Sequence, residues 1–497
     1  MNPRPLSILW DLRPAFAGFF GISNETRLMF SLLHEMDDVE VTGLIHHPSL
    51  ALARALTRNE PIDRPSKPAQ TIKALSRFVV STTPRTGCFW LQDKAATALN
   101  FYWLQLLTTL GVRIPLDRFN GTDFGDFLWQ TLFSMSLPPS DFERCRTARY
   151  ATLWAPWSAM QASALFPWSR RYARVDTSGY DVFVAQTPWP GRVVPQTQLV
   201  IRYHDAVPVF LPHTIEYSRR HNFFHLSALR ENTKLAAFAC VSEHSRMNLL
   251  RLFPHLEKRV FVVSDCIAEA YFPDSATRET VAGILASRVD ATTEPVRKGN
   301  RLYDTQVKLG DRRFLLMVST LEPRKNHLGL LAAWEALRLK SKQPIALVFV
   351  GSLGWGSGRL LQAMRKWQLR GELFHLSAVS PSELRLLYSA ADAVICPSAS
   401  EGFDLPSIEA MRCGAAVVAS DIPVHREILG DAALYFDPYS TASICDALMR
   451  LLTIEDLRSD LRSKAEPQAA KFGASATRRQ WEQVFDYCRA NRRATVQ

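Results

Sequence analysis

The sequence predicts an α/β protein made of two successive nucleotide-type domains, and three observations carry that expectation. An apolar strand, Ser7 to Leu12, runs through the turn Gly18 to Gly21 into a helix, which is how such domains open. The same order returns where Phe314 to Ser319 leads through a loop into a helix from about His327 to Leu339. Farther on, Ser400 to Asp421 reads as loop, helix and short buried strand in immediate succession.

In the first half, the opening helix runs from about Ser23 to Met36, with Leu28, Leu32 and Leu33 at helical spacing. Val39 to Ile45 is the second strand. From about 48 to 178 the chain turns aromatic, with Phe89, Trp90, Phe101, Tyr102, Trp103, Trp129, Trp154, Trp157, Phe166 and Trp168 between proline breaks. It reads as a helical insertion with its own core. The sharper reading of the same residues is an aromatic, basic surface that docks on a bilayer or holds a lipid-linked acceptor. The sheet resumes at Tyr180 to Gln186 and continues at Gln198 to Tyr203, Leu235 to Val241 and Val260 to Val263. His204-Asp205 follows the second of these at its C-terminal end, the end that faces the ligand crevice in open α/β sheets. Ser242 is placed to cap the helix that runs to Phe253. Tyr271 to Gly310 is polar and turn-rich and reads as the linker between domains.

In the second half, the loop Thr320-Leu-Glu-Pro-Arg324-Lys325-Asn326 puts two adjacent cations between a strand and a helix. Ile345 to Val350 is a strand ending at Gly351. The cluster Gly354, Gly356 and Gly358 lacks the spacing and the acidic partner of a dinucleotide fingerprint. Leu373 to Leu376 and Ala393 to Cys396 are short strands, and Ser380-Pro381-Ser382-Glu383 is a capping box between them. In the stretch from Ser400, Pro406 suits the first helical turn and Gly414 the left-handed end. Ala433 to Phe436 is the last strand, and a final helix spans about Ala474 to Arg489.

With 497 residues, 47% of them hydrophobic, the chain can bury two or three cores. Its net charge of +11 points to anionic partners. The basic residues are scattered, so diphosphate substrates or anionic lipid fit better than nucleic acid. The eight cysteines form no C-x-x-C pair, which favours reduced thiols, a cytoplasmic setting and no zinc site. The N-terminus lacks a signal-peptide core, and no apolar run of spanning length occurs.

The chemistry gathers at Ser400 to Asp421. A loop entering a helix presents backbone N–H groups and a positive helix end, a site suited to phosphate. Glu401 and Glu409 stand eight residues apart and can meet hydroxyls at the two ends of a ligand. A nucleotide sugar has hydroxyls on both sides of a diphosphate. Glu401-Gly402-Phe403-Asp404-Leu405-Pro406, Glu409-Ala410 and the tail Cys413 to Asp421 resemble the donor-site signature of retaining glycosyltransferases of family four. The resemblance covers roughly 1–47 and 180–490.

It implies the GT-B fold, two Rossmann-like domains facing a cleft. On this reading 1–305 is the N-terminal acceptor-side domain, with the insert at about 48–178. Residues 306–475 hold the nucleotide sugar, and 476–497 is a helix crossing back. The resemblance implies that Arg324 and Lys325 stabilise the leaving diphosphate, that Glu401 orients the sugar hydroxyls and Glu409 the ribose, and that His204 lies against the transferred sugar. Gly21, Asp205, Gly351, Gly402, Phe403 and Leu405 are the further expected substrate contacts. Thr320 stands where some members carry an arginine. No metal or other cofactor is expected.

The Glu-Pro-Arg-Lys-Asn form of the loop resembles mannosyltransferase-like members, so mannose from GDP-mannose is the first donor. The acceptor expected is a saccharide or polyprenyl-linked saccharide in surface polysaccharide assembly, at the cytoplasmic face of a membrane. A UDP-sugar-dependent enzyme and a non-catalytic nucleotide-sugar-binding scaffold are the alternatives.

Overall fold

The computed structural model describes residues 4–16, 18, 21–47, 90–155, 157–165, 172–290, 292–293, 313–341 and 344–496. Cys88, Phe89, Phe166 and Trp168 lie outside the described residues.

β1 (Leu6–Asp11) leads to α1 (Gly21–Leu33) and β2 (Val39–His47). α2 (Trp90–Thr109) follows, then β3 (Leu116–Asn120), β4 (Arg149–Trp154), α3 (Trp157–Ala162), β5 (Val182–Ala185) and β6 (Gln198–Tyr203). α4 (Ser218–Asn232), β7 (Ala237–Cys240), α5 (Glu243–Leu252) and β8 (Val260–Val262) complete the first sheet, ordered β8-β7-β6-β5-β1-β2-β4-β3. All its pairings are parallel except β3 with β4. Ser242 caps α5 as expected, accepting from the Ser245 N–H.

The insertion read at about 48–178 is corrected here. β3 and β4 belong to the main sheet, β4 lying parallel to β2. Tyr150 and Leu153 are fully buried in the two cores on either side of that sheet. The described part of the segment is therefore an edge of the first domain and not a helical body with a core of its own. In the segment read as a linker, Tyr271 to Gly310, the described part holds a helix, and 291 and 294–310 lie outside the described residues. Thr277 caps α6 (Arg278–Arg288), whose Val281, Ile284 and Leu285 pack into the second domain.

The second sheet is wholly parallel. It runs β9 (Arg313–Val318), α7 (His327–Lys340), β10 (Ile345–Val350), β11 (Leu373–Leu376), α8 (Pro381–Ala390), β12 (Ala393–Cys396), α9 (Leu405–Arg412), β13 (Val417–Ser420), α10 (Pro423–Leu429) and β14 (Ala433–Phe436). The order is β11-β10-β9-β12-β13-β14. The predicted capping box at Ser380 and Glu383 is present on α8.

The last helix, α11 (Ala474–Val496), crosses back to the first domain. Its Trp481, Val484 and Phe485 are fully buried in that domain's core, with Trp481 edge-on to Trp10 at 5.5 Å. Because the strands of each sheet run parallel, their C-terminal loops gather at one edge, and those two edges meet at the site.

Candidate functional site

The β9–α7 loop is shaped by Pro323 and Asn326. Pro323 starts a single 3-10 turn, Pro323–Lys325, and Asn326 ends it with φ of 60°. The Asn326 amide donates to the Pro397 carbonyl at 3.1 Å and the Pro438 carbonyl at 2.9 Å, so the turn is tied to the neighbouring loops. Held this way, Arg324 and Lys325 converge on one carboxylate. Arg324 Nη1 donates to Glu401 Oε2 at 2.6 Å, and Lys325 Nζ to Glu401 Oε1 at 2.5 Å. Arg324 also donates to the Ser400 carbonyl at 2.6 Å and to Glu322 at 2.9 Å. All four side chains are at most 14% exposed, so water screens them little.

Burial alone would raise the Glu401 carboxyl, but the Arg324 and Lys325 charges outweigh it and hold the group well below the usual carboxylate range. Burial would lower the Arg324 guanidinium, and the Glu401 and Glu322 charges instead push it up. At Glu322 burial prevails over the nearby cations, and its carboxyl is raised.

Asp404, with φ of 86°, turns the chain from this cluster into α9. Gly402 is where the two domains touch. A Cβ built there would lie 2.0 Å from the His204 carbonyl oxygen. Only glycine allows that approach. The Ser242 hydroxyl donates to the Gly402 carbonyl at 2.6 Å, and Ser245 donates to the His204 carbonyl at 2.9 Å. Beside them Glu427 of α10 accepts from the Glu243 and His244 N–H groups at 2.6 and 2.9 Å, so a carboxylate of one domain satisfies the first turn of α5 in the other. Trp355 Nε1 donates to the Thr214 carbonyl at 2.7 Å across the same gap.

His204 stands at the cleft with Asp205, and burial pushes its imidazole down to about 3, so it is neutral at pH 7. The charge of Asp205 reaches Arg324. Glu409 lies one turn inside α9 and is buried, accepting from the Tyr388 hydroxyl at 3.1 Å. Burial raises its carboxyl to about 7, with the Tyr388 hydrogen bond opposing. The expected residues thus group as Arg324, Lys325, Glu401, Gly402, His204 and Asp205 at the junction, with Glu409 behind. Phe403 and Leu405 differ. Both side chains are buried in the second domain's core, and Phe403 packs edge-on against Phe472 at 5.3 Å. Only their backbone is left to face a ligand. Gly351, with φ of 153°, would place a Cβ 2.1 Å from the Ser319 carbonyl, so tight backbone packing alone demands a glycine there. Gly21 is the exposed first residue of α1 with open space around it.

A cavity of about 530 Å³ lies on the first-domain side, lined by residues that include Arg13, Trp157, Tyr203, His204, Asp205 and His225. Arg13 stacks over Trp157 at 3.7 Å and donates to Thr187 at 2.8 Å. The Tyr203 hydroxyl and the Nε2 atoms of His204 and His225 are buried and lack a protein partner, as a polar ligand site requires. Sequence reasoning missed Arg13, although its place just past the C-terminal end of β1 was a usable signal. It also missed the wholly buried Arg202, which donates to Glu25 at 2.9 Å and Asp265 at 2.7 Å below the cavity.

Residues 302–468 match the family described as Glycosyl transferases group 1. The O-antigen chain mannosyltransferase B of Escherichia coli is 30% identical over 232 residues, 47% of this chain and 55% of that protein. The serotype-specific mannosyltransferase WbdA of Escherichia coli is 37% identical over 150 residues, 30% of this chain and 18% of that one. The chain therefore spans about half the length of the first relative and about a fifth of the second. Among solved structures, a sucrose-phosphate synthase from Thermosynechococcus elongatus aligns with a TM-score of 0.57 at 15% identity, over 98% of this chain and 100% of that one. A glycosyltransferase from Rickettsia africae aligns with a TM-score of 0.52 at 13% identity, over 98% and 99%. At these identities the structural likeness speaks for the fold. The chain has the GT-B fold, and its residues 302–468 form a domain of the glycosyl transferases group 1 family.

Proposed function

We propose that the protein is a retaining glycosyltransferase that moves a hexose, mannose from GDP-mannose first among donors, onto a saccharide or lipid-linked saccharide acceptor in surface polysaccharide assembly. One observation carries the reading. Two cations with little exposure converge on Glu401, at the point where the loop before α9 meets His204 of the other domain. The names of the two mannosyltransferase relatives support mannose as the sugar, and the O-antigen name of the first supports the process.

The chemical difficulty is the departure of a diphosphate while positive charge grows on the sugar. Arg324 and Lys325 take up the charge that develops on the leaving oxygen. Glu401, by binding both, fixes their positions, and its remaining lone pairs face the sugar hydroxyls. Glu409 accepts from the ribose hydroxyls, held in place by Tyr388. His204 is neutral and offers a hydrogen bond to the sugar without repelling its growing charge. The bond from the anomeric carbon to the diphosphate breaks, the bond to the acceptor oxygen forms on the same face, and the acceptor proton passes to the leaving phosphate. No protein general base and no metal step is assigned.

The test is a thermal-shift series with GDP-, UDP- and ADP-sugars. A ligand at a hundred times its Kd stabilises by about 2.7 kcal/mol. GDP-mannose raises the melting temperature on this reading, and Arg324→Ala abolishes the rise. A shift with UDP-sugars alone reassigns the donor. No shift with any nucleotide sugar removes the proposal, and donor binding without hydrolysis or transfer makes the protein a scaffold.

A further inference from the structure

The two faces of α2 make an unusual pair. One face is packed: Leu104 is fully buried, Thr108 nearly so, and Phe101 and Leu107 rest against the same core. The opposite face carries Leu99 (70% exposed), Tyr102 (67%), Trp103 (43%), Leu106 (47%) and Leu110 (67%). These recur at steps of three, one, three and four residues, which is one stripe along a helix. No charged residue occurs between 95 and 112. An apolar stripe of this length is not typical of a water-exposed surface.

We propose that α2 docks the protein on an anionic bilayer, lying in the interface with this stripe turned toward the lipid. Three features favour lipid over another occupant. The stripe is a convex helix surface, and Tyr102 and Trp103 are the residue types that settle at the headgroup level. Exposed Arg113, Arg118 and Arg174 lie past the helix's C-terminal end, with the charges of Arg113 and Arg118 reaching Asp176, and leave a cationic rim for acidic headgroups. Among the described residues no helix is long and apolar enough to cross a membrane, and the proposal needs none, since α2 is placed along the surface. The position is also apt. α2 packs on α3, joined by Gln105 donating to Ser163 at 2.6 Å, and α3 contributes Trp157 and Gln161 to the 530 Å³ cavity. A surface that binds lipid would thus adjoin the cavity of the first domain, the acceptor side on the glycosyltransferase reading. That last link rests on the glycosyltransferase reading; the docking itself does not.

The test is sedimentation of the full chain with vesicles of phosphatidylcholine alone or mixed with phosphatidylglycerol. Binding to the mixed vesicles is expected, weakening as salt rises. The Leu99→Glu/Leu106→Glu double variant should bind at least about tenfold more weakly. Its melting temperature and its stabilisation by GDP-mannose should stay at wild-type values. Wild-type chain left in the supernatant with mixed vesicles overturns the proposal, and so does equal sedimentation of the double variant. A melting temperature that drops sharply in the variant would show the stripe covered by the chain's own residues. A dimer that the variant turns into a monomer would assign the stripe to a second copy. Loss of GDP-mannose stabilisation in the wild type would count against the enzymatic reading and leave the docking result intact.

Discussion

Lys325→Ala is the most direct test of the diphosphate grip. Lys325 Nζ lies 2.5 Å from Glu401 Oε1 with its side chain 13% exposed, so its charge acts in a poorly screened site. Removing one preorganised donor from a developing oxyanion costs about 2.7–4 kcal/mol, or about 10²–10³ in kcat. The fold should survive, because Glu401 keeps Arg324 at 2.6 Å and is not left unpaired. Lys325→Arg keeps the charge but puts a planar fork in place of a point charge, and should recover only part of the rate. The assay is steady-state transfer or hydrolysis of GDP-mannose, with melting temperature measured alongside. The fall should be mainly in kcat, because the interaction strengthens as the diphosphate leaves. A folded Lys325→Ala protein with kcat/KM within about threefold of wild type would refute the assignment.

Three more substitutions probe the cleft. Gly402→Ala puts a methyl 2.0 Å from the His204 carbonyl oxygen, so the two domains must part; small-angle scattering should show a larger radius of gyration, and kcat/KM should drop by at least about tenfold. Glu427→Ala removes the acceptor for the Glu243 and His244 N–H groups; urea titration should show a loss of about 1–2 kcal/mol, as for other lost caps. Glu409→Gln separates stability from function. The folded carboxyl titrates at about 7, above its unfolded value near 4.5, so its contribution to stability is whole below the unfolded value and is lost as pH rises through 7. The glutamine variant lacks that loss and should gain on wild type by up to about 3 kcal/mol between pH 4.5 and 8, while losing an ionised acceptor for ribose and binding GDP-mannose about tenfold or more weakly.

The second domain was largely legible because its chemistry is local. The strands Ile345–Val350, Leu373–Leu376 and Ala393–Cys396 are short apolar runs closed by glycine, serine or proline, and the Ser380 box announces its helix within four residues. β3 and β4 were hidden because β3 alternates over only five residues and pairs antiparallel, with Trp154 looking like a helical core aromatic. α6 could have been found: Thr277 caps it, and Val281, Ile284 and Leu285 have helical spacing inside an otherwise polar stretch. Arg324, Lys325 and Glu401 were readable as residue types, but their convergence was not. Neither was the contact of Gly402 with His204 or of Glu427 with α5, since such pairs lie far apart in the chain and leave no periodic trace. Asp265 carried no function in the sequence, and the buried Arg202 gives it one in the structure.

The charge balance of the grip leads to one more expectation. Arg324 and Lys325 pair with two carboxylates, Glu401 and Glu322, and the charge of Asp205 also reaches Arg324, so with every group ionised the cluster has no net positive charge. Such a cluster is a poor trap for a diphosphate. Glu401 cannot supply the missing charge by taking a proton, because both cations hold it ionised. Glu322 can: burial already raises its carboxyl, and among the described residues its ion-pair partner is Arg324, which Glu401 still anchors. An arriving diphosphate raises Glu322 further, so donor binding should draw a proton onto it and make the site one charge less negative. Calorimetry of GDP binding in buffers of different ionisation enthalpy should therefore report proton uptake. Glu322→Gln should abolish that uptake and bind GDP more tightly than wild type. If the variant takes up the same fraction of a proton, the charge comes from elsewhere, and the amide-lined entry to α9 must do more of the work than the two cations.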